Sequence, residues 1–157
     1  SQPVVGVCWY EARAYCAWLS AQTGLAFSLP TEVQCEAAAR GAQAGAYPWG
    51  DDFEPTRSNT FETRIRRTTP IGAFPEGDSA SGVTDGVGNV FEWTSSLLKP
   101  YPYDATDGRE DLTRSGDRVI RGGAWNEGPN DQRTFYRSWI GPNLSESPTG
   151  FRCARSP

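Results

Sequence analysis

The 157-residue chain has no histidine and no methionine, and its four cysteines fall at 8, 16, 35 and 153, so no sulfur lies between Cys35 and Cys153. With no histidine and no CxxC pair, the usual zinc-ligand sets are excluded. The cysteines are left with two roles, buried thiols or long-range disulfides, the second favoured in an oxidising compartment. Without a methionine at position 1, the first residue reads as a processed terminus or an internal cut. The opening SQPVVGV lacks the basic and apolar regions of a signal peptide. No window approaches 18 apolar residues, which excludes a predicted membrane-spanning helix. Lysine occurs once, against fourteen arginines, and the net charge is −4. That balance argues against a nucleic-acid binder, which would show a basic face. The one basic run, Arg64-Ile65-Arg66-Arg67, is short and reads as a solvated strand face.

Aromatic residues compensate for a modest apolar fraction of 37%: six Trp, seven Phe and six Tyr, each able to bury on the order of 150–250 Å². The length fits one domain. Seventeen Gly and twelve Pro imply many turns and few long elements. Ala12, Tyr15, Cys16 and Leu19 recur at helical spacing, which predicts a helix over residues 9–23 that Gly24 stops; Cys8 is a poor N-cap. Thr31 and Gln34 form a capping box for a second helix over about 32–40, closed by Gly41. Val4–Val7, 69–74, Val90–Thr94, Arg118–Arg121 and Gly150–Ala154 read as extended segments, with Tyr47–Gly50 as an aromatic turn and long loops over 76–89 and 99–116. Two helices followed by short strands predict an α+β fold.

The motifs PVVGVCWYEARAYCAWLS, LPTEVQCEAAARG, YPWG, TTPIGAFPEG, GVGNVFEWTSS, RVIRGGAW and GFRCAR, in that order from Pro3 to Arg155, resemble the formylglycine-generating enzyme/sulfatase-modifying-factor domain family. That resemblance implies a C-type-lectin-like fold of this subtype, with two helices, short antiparallel strands and long loops. It also implies that the chain is the C-terminal part of a longer one, since such domains carry further strands before the position of Val4. The family's oxidases use two copper-binding cysteines a few residues beyond the RGGS-aromatic motif. Here the matching stretch, Asn126 to Gln132, contains neither, so no copper is expected. A second branch uses iron held by histidines, of which this chain has none. Glu127 and Asp131 read as surface acids rather than an acid/base pair.

The resemblance extends to the variable proteins of diversity-generating retroelements, in which the segment between RGGSW and GFR is the diversified part. The frame residues, Arg121, Gly122, Gly123, Trp125, Arg133, Arg137, Pro142, Gly150, Phe151 and Arg152, are all present. Between them, Asn126, Glu127, Asp131, Phe135, Tyr136, Ser138, Trp139, Ile140, Leu144, Ser145, Glu146 and Ser147 form the expected ligand face, with Tyr136, Trp139 and Ile140 as anchors. Aromatics among small polar residues offer contact area at low rotamer cost. The ligand would be a protein, peptide or glycan. Non-catalytic binding is the expected function, with an oxidase or derived enzyme as the alternative. The resemblance further implies a structural calcium at Asp85, Gly88, Val90 and Glu92, whose hard oxygens suit that ion, and a disulfide between Cys16 and Cys153. Cys8 and Cys35 either pair or are small buried groups. Arg121, Arg137 and Arg152 are expected to pin the loops by pairing with buried carboxylates or carbonyls.

Overall fold

A computed structural model describes residues 1–41 and 45–155. The first helix, α1, spans Trp9–Thr23, and Gly24 ends it in the left-handed conformation at φ 70°. Its start is firmer than the sequence implies. The Glu11 carboxylate accepts the Cys8 backbone N–H at 2.8 Å, the return half of a capping box. The buried face of α1 is Trp9, Ala12 and Cys16, whereas Tyr15, expected inward, is exposed. A short strand, β1 (Phe27–Ser28), leads to α2 (Glu32–Arg40), whose predicted capping box is present, Thr31 Oγ1 taking the Gln34 N–H and Gln34 Oε1 the Thr31 N–H.

The central sheet is made by β2 (Phe91–Leu97), β3 (Arg118–Arg121), β4 (Ser138–Ile140) and β5 (Thr149–Gly150), in the order β4-β3-β2-β5. β2, β3 and β4 pair antiparallel, while β5 pairs parallel to β2, a departure from the purely antiparallel expectation. β6 (Ala154–Arg155) pairs with β1 in a separate two-stranded ribbon. Strand alternation assigns the faces. Phe91, Trp93 and Ile120 join Trp9, Ala12, Cys16, Leu29 and Ala124 in the core beneath α1. Glu92 and Arg121, paired across β2 and β3, face α2 on the other side. The core indoles keep their N–H groups bonded: Trp9 donates to the Thr94 carbonyl at 2.8 Å and Trp93 to that of Val7 at 2.9 Å. The Arg118 guanidinium lies 4.0 Å over the Trp9 ring and donates to the Ser95 and Arg114 carbonyls.

Three predicted extended segments differ from the structure. Val4–Val7 forms no strand; Gly6 adopts φ 70°, and its N–H makes one bond, to the Thr149 carbonyl at 3.1 Å. Residues 69–74 turn, with the Ala73 N–H on the Pro70 carbonyl. The Gly150–Ala154 segment splits between β5 and β6, which belong to different sheets. Among the described residues no helix is long and apolar enough to cross a membrane.

Candidate functional site

The segment from Gly122 to Thr149 hangs between two strands and is held from beneath. After β3 the chain reverses through Gly122 and Gly123, at φ 95° and 71°. A Cβ on Gly123 would stand 2.6 Å from the Asp131 carbonyl oxygen and 2.7 Å from Gln132 Oε1, so only glycine permits this approach. Buried polar pegs then alternate with outward side chains. Gln132 donates to the Ala124 carbonyl at 2.9 Å. Thr134 bonds through N–H and hydroxyl to the Ala46 and Gly45 carbonyls, at 2.8 and 2.9 Å.

The frame arginines act as expected. Arg137 grips Glu32 with two bonds, 2.6 Å (Nε to Oε2) and 3.0 Å (Nη2 to Oε1), and also donates to the Lys99 carbonyl at 3.0 Å. Arg121 bridges Glu36 to the Tyr136 carbonyl. Arg152 holds both carboxylate oxygens of Glu92. The first two tie the segment to α2 and the third fixes the chain just beyond it to β2, so the irregular backbone rests on a fixed support.

Not all twelve expected face residues point outward. Phe135, Trp139 and Leu144 are 45%, 50% and 55% exposed, and Asn126, Ser145, Glu146 and Ser147 are exposed as well. Tyr136 and Ile140, expected as anchors, instead pack partly buried against the core cluster. For Ile140 the cause is strand alternation. In β4, Ser138 pairs with Ile120 and Ile140 with Arg118, while Trp139 pairs with Val119, so Trp139 points to the opposite side of the sheet from Ile140. Glu127 and Asp131 are half-buried, not surface acids. Burial and the neighbouring Asp131 raise the Glu127 carboxyl above its ordinary range. Burial, with a hydrogen bond to Asp131, pushes the Tyr136 phenol up to about 12.

At the turn expected to hold calcium, Asp85 and Asn89 both adopt positive φ. Asp85 Oδ2 accepts the Gly72 N–H at 3.0 Å, and the Gly88 carbonyl accepts the Val90 N–H at 2.8 Å. Both Glu92 oxygens are taken by Arg152, so this arrangement does not fit a cation as it stands: a guanidinium already occupies the carboxylate.

Cys16 and Cys153 meet, with their sulfur atoms 3.5 Å apart as free thiols. Burial pushes the Cys16 and Cys35 thiols up to about 12. The sequence offered no signal for a groove of about 780 Å³ between the N-terminal segment and α1, walled by Val4, Val7, Tyr15, Ile71 and Phe151.

Comparison with known proteins places this geometry. Residues 1–157 match the family described as Sulfatase-modifying factor enzyme 1-like domain. Hercynine oxygenase of Mycolicibacterium smegmatis is 37% identical over 165 residues, covering 98% of this chain and 37% of that protein. Inactive C-alpha-formylglycine-generating enzyme 2 of Bos taurus is 37% identical over 168 residues, covering 97% of this chain and 50% of its own length. The chain thus spans half or less of these relatives, one named as an enzyme and one named as inactive. Among solved structures, Treponema denticola variable protein 1 superposes with a TM-score of 0.88 at 23% identity, over 99% of this chain and 72% of that one; at that identity the likeness is one of fold.

Proposed function

The chain belongs to the sulfatase-modifying factor enzyme 1-like family, and from that premise we propose that it is a non-catalytic ligand-binding domain whose variable surface lies within residues 126–149. The observation that carries this reading is the exposure of Phe135, Trp139 and Leu144 on a segment fastened from below by Gln132, Thr134, Arg121 and Arg137. A fixed support with large, sparsely rotameric contact residues is the physical recipe of a paratope. Stretch 126–132, which corresponds to the oxidases' copper pocket in the resemblance, offers oxygen and nitrogen donors from Asn126, Glu127, Asn130, Asp131 and Gln132 and no sulfur. Tyr136 and Ile140 serve as the underside of the face, and the ligand is a protein, peptide or glycan.

The test is a library randomised at the exposed positions 126, 130, 135, 139 and 143–147. Individual surface changes fall within about 0.5 kcal/mol, and a domain of this size shifts by about 2–4 °C per kcal/mol. Most members are therefore expected to melt within about 10 °C of the parent, and binders to an arbitrary target protein are expected to be selectable. The same randomisation at Gln132, Thr134 and Thr149 is expected to unfold the chain. Collapse of the surface library would remove the reading.

A second reading, an oxidase or derived enzyme, is favoured by the identity to hercynine oxygenase. Turnover of a thiol peptide, or of hercynine, by the chain would establish it.

Calcium at Asp85, Gly88, Val90 and Glu92 is a separate proposal. It requires Glu92 to exchange Arg152 for the ion. If the ion binds, calcium raises the melting temperature over an EDTA control, and more so in Arg152→Ala, where the carboxylate is released. An unchanged melting temperature in both proteins would dismiss it.

A further inference from the structure

The run Arg64-Ile65-Arg66-Arg67 is not a strand face. It follows a 3-10 turn, Phe61–Thr63, and Arg64 and Arg66 both adopt the left-handed conformation, at φ 58° and 60°. Residues with a Cβ rarely adopt this region; glycine and asparagine enter it at much lower cost. Two arginines therefore stand where the backbone favours other residues. The conformation is imposed from inside. Asn59, 1% exposed, donates through Nδ2 to the Arg67 carbonyl at 2.9 Å and accepts the Thr63 hydroxyl at 3.2 Å. On the far side, the Phe61 N–H is held by the Glu127 carbonyl at 3.1 Å.

Among the described residues no carboxylate lies within ion-pair distance of Arg64, Arg66 or Arg67, and none of the three donates a side-chain hydrogen bond or stacks on a ring. Arg155 shares that state. The remaining arginines are engaged by carboxylates, carbonyls or aromatic faces. The loop also shows Phe61 at 65% exposure and Ile65 at 38%. A pre-shaped surface with three unpaired cations and two exposed apolar side chains is complementary to a ligand of opposite charge with apolar character.

We infer that residues 61–67 form a docking surface for an acidic segment of another protein that carries apolar side chains. A nucleic acid fits less well. A polyphosphate carries a charge at every residue, so the net charge of −4 repels it more than a peptide with a few carboxylates, and its backbone offers no apolar side chains to meet Phe61 and Ile65. The inference stands on this loop alone and is indifferent to the fate of the 126–149 reading.

The experiment is a selection from a random twelve-residue peptide library on the whole chain, followed by anisotropy titration of the selected peptides. Enrichment of Asp and Glu together with apolar residues is expected, with affinity that falls as salt rises. Arg64→Asn/Arg66→Asn is expected to weaken the selected peptides about tenfold or more, because charge-assisted contacts are lost. Asparagine accepts the left-handed conformation, so this variant is expected to melt no lower than the parent. Arg114→Gln/Arg155→Gln makes the same change in net charge elsewhere and is expected to alter affinity less than about twofold. Equal losses in the two variants would reduce the effect to net charge and overturn the proposal. So would selected peptides without an acidic excess, or tighter binding of a mixed-sequence single-stranded oligonucleotide than of any selected peptide.

Discussion

Glu32→Ala is expected to cost about 3–5 kcal/mol of unfolding free energy, the range for removing one partner of a buried ion pair. Glu32 is fully buried at the first position of α2, where the helix dipole favours an anion. It accepts from Arg137 at 2.6 Å and from Arg109 at 3.3 Å, and Arg109 is 1% exposed. Asp107 holds Arg109 from the other side at 2.9 Å. Removing the glutamate leaves Arg137 without a carboxylate and the fully buried Arg109 with Asp107 alone. At about 2–4 °C per kcal/mol the melting temperature is expected to fall by about 6–20 °C, and urea denaturation should report the same loss. Glu32→Leu combined with Arg109→Met and Arg137→Met is expected to recover much of it, because both guanidiniums that Glu32 held are removed with it and matched apolar side chains carry no desolvation cost. The consequence reaches the candidate face. Arg137 precedes β4 and is fixed by Glu32, so its release loosens the strand that presents Trp139. A loss below about 1 kcal/mol in Glu32→Ala would show that the network is incidental to the fold.

The sequence made legible those features that local chemistry decides. The Thr31–Gln34 box and Gly24 marked where helices begin and end because capping depends on neighbours a few residues away. The apolar pair within Arg118–Arg121 marks a strand, and Arg121, Arg137 and Arg152 are the loop pins that their motifs imply. What the sequence concealed depends on distant partners. β4 is three residues long, too short for any periodicity, and exists because β3 lies beside it. Its register decides that Ile140 turns inward and Trp139 outward, and no residue within 126–149 encodes that choice. Likewise nothing within DGVGNVFEW shows that Glu92 pairs with Arg152, sixty residues on. The left-handed Arg64 and Arg66 were invisible because arginine itself gives no signal of positive φ; the restraint comes from the buried Asn59.

Oxidation is expected to join Cys16 to Cys153 and stabilise the chain by about 5 kcal/mol in the chain-entropy account, since the bond closes a loop between residues 137 apart. The sulfur atoms already lie 3.5 Å apart, so side-chain rotation brings them together without rearranging α1. Cys16 is locked in the core at 2% exposure, whereas Cys153 lines the groove beside Tyr15 and Phe151 and gives an oxidant its entry. The Cys16 thiol, pushed up to about 12 chiefly by burial and further by Cys153, is scarcely ionised at neutral pH. Closure is therefore expected to be slow there and to quicken as pH rises. Stability follows the same proton. In the reduced chain the folded state keeps a proton that the unfolded state releases above about 9, so the stability from this thiol is complete below pH 9 and is lost on the way to about 12. The oxidised chain has no such proton to lose, so the gap between the two forms widens with pH. Denaturation of the oxidised and reduced chain at pH 7.5 and 10, values chosen to lie on either side of about 9, measures it. Cys8→Ser/Cys35→Ser is expected to retain the whole redox difference and Cys16→Ser/Cys153→Ser to abolish it. If instead the first pair of substitutions erases the difference, the bond forms between Cys8 and Cys35, and the Cys16–Cys153 contact is only packing.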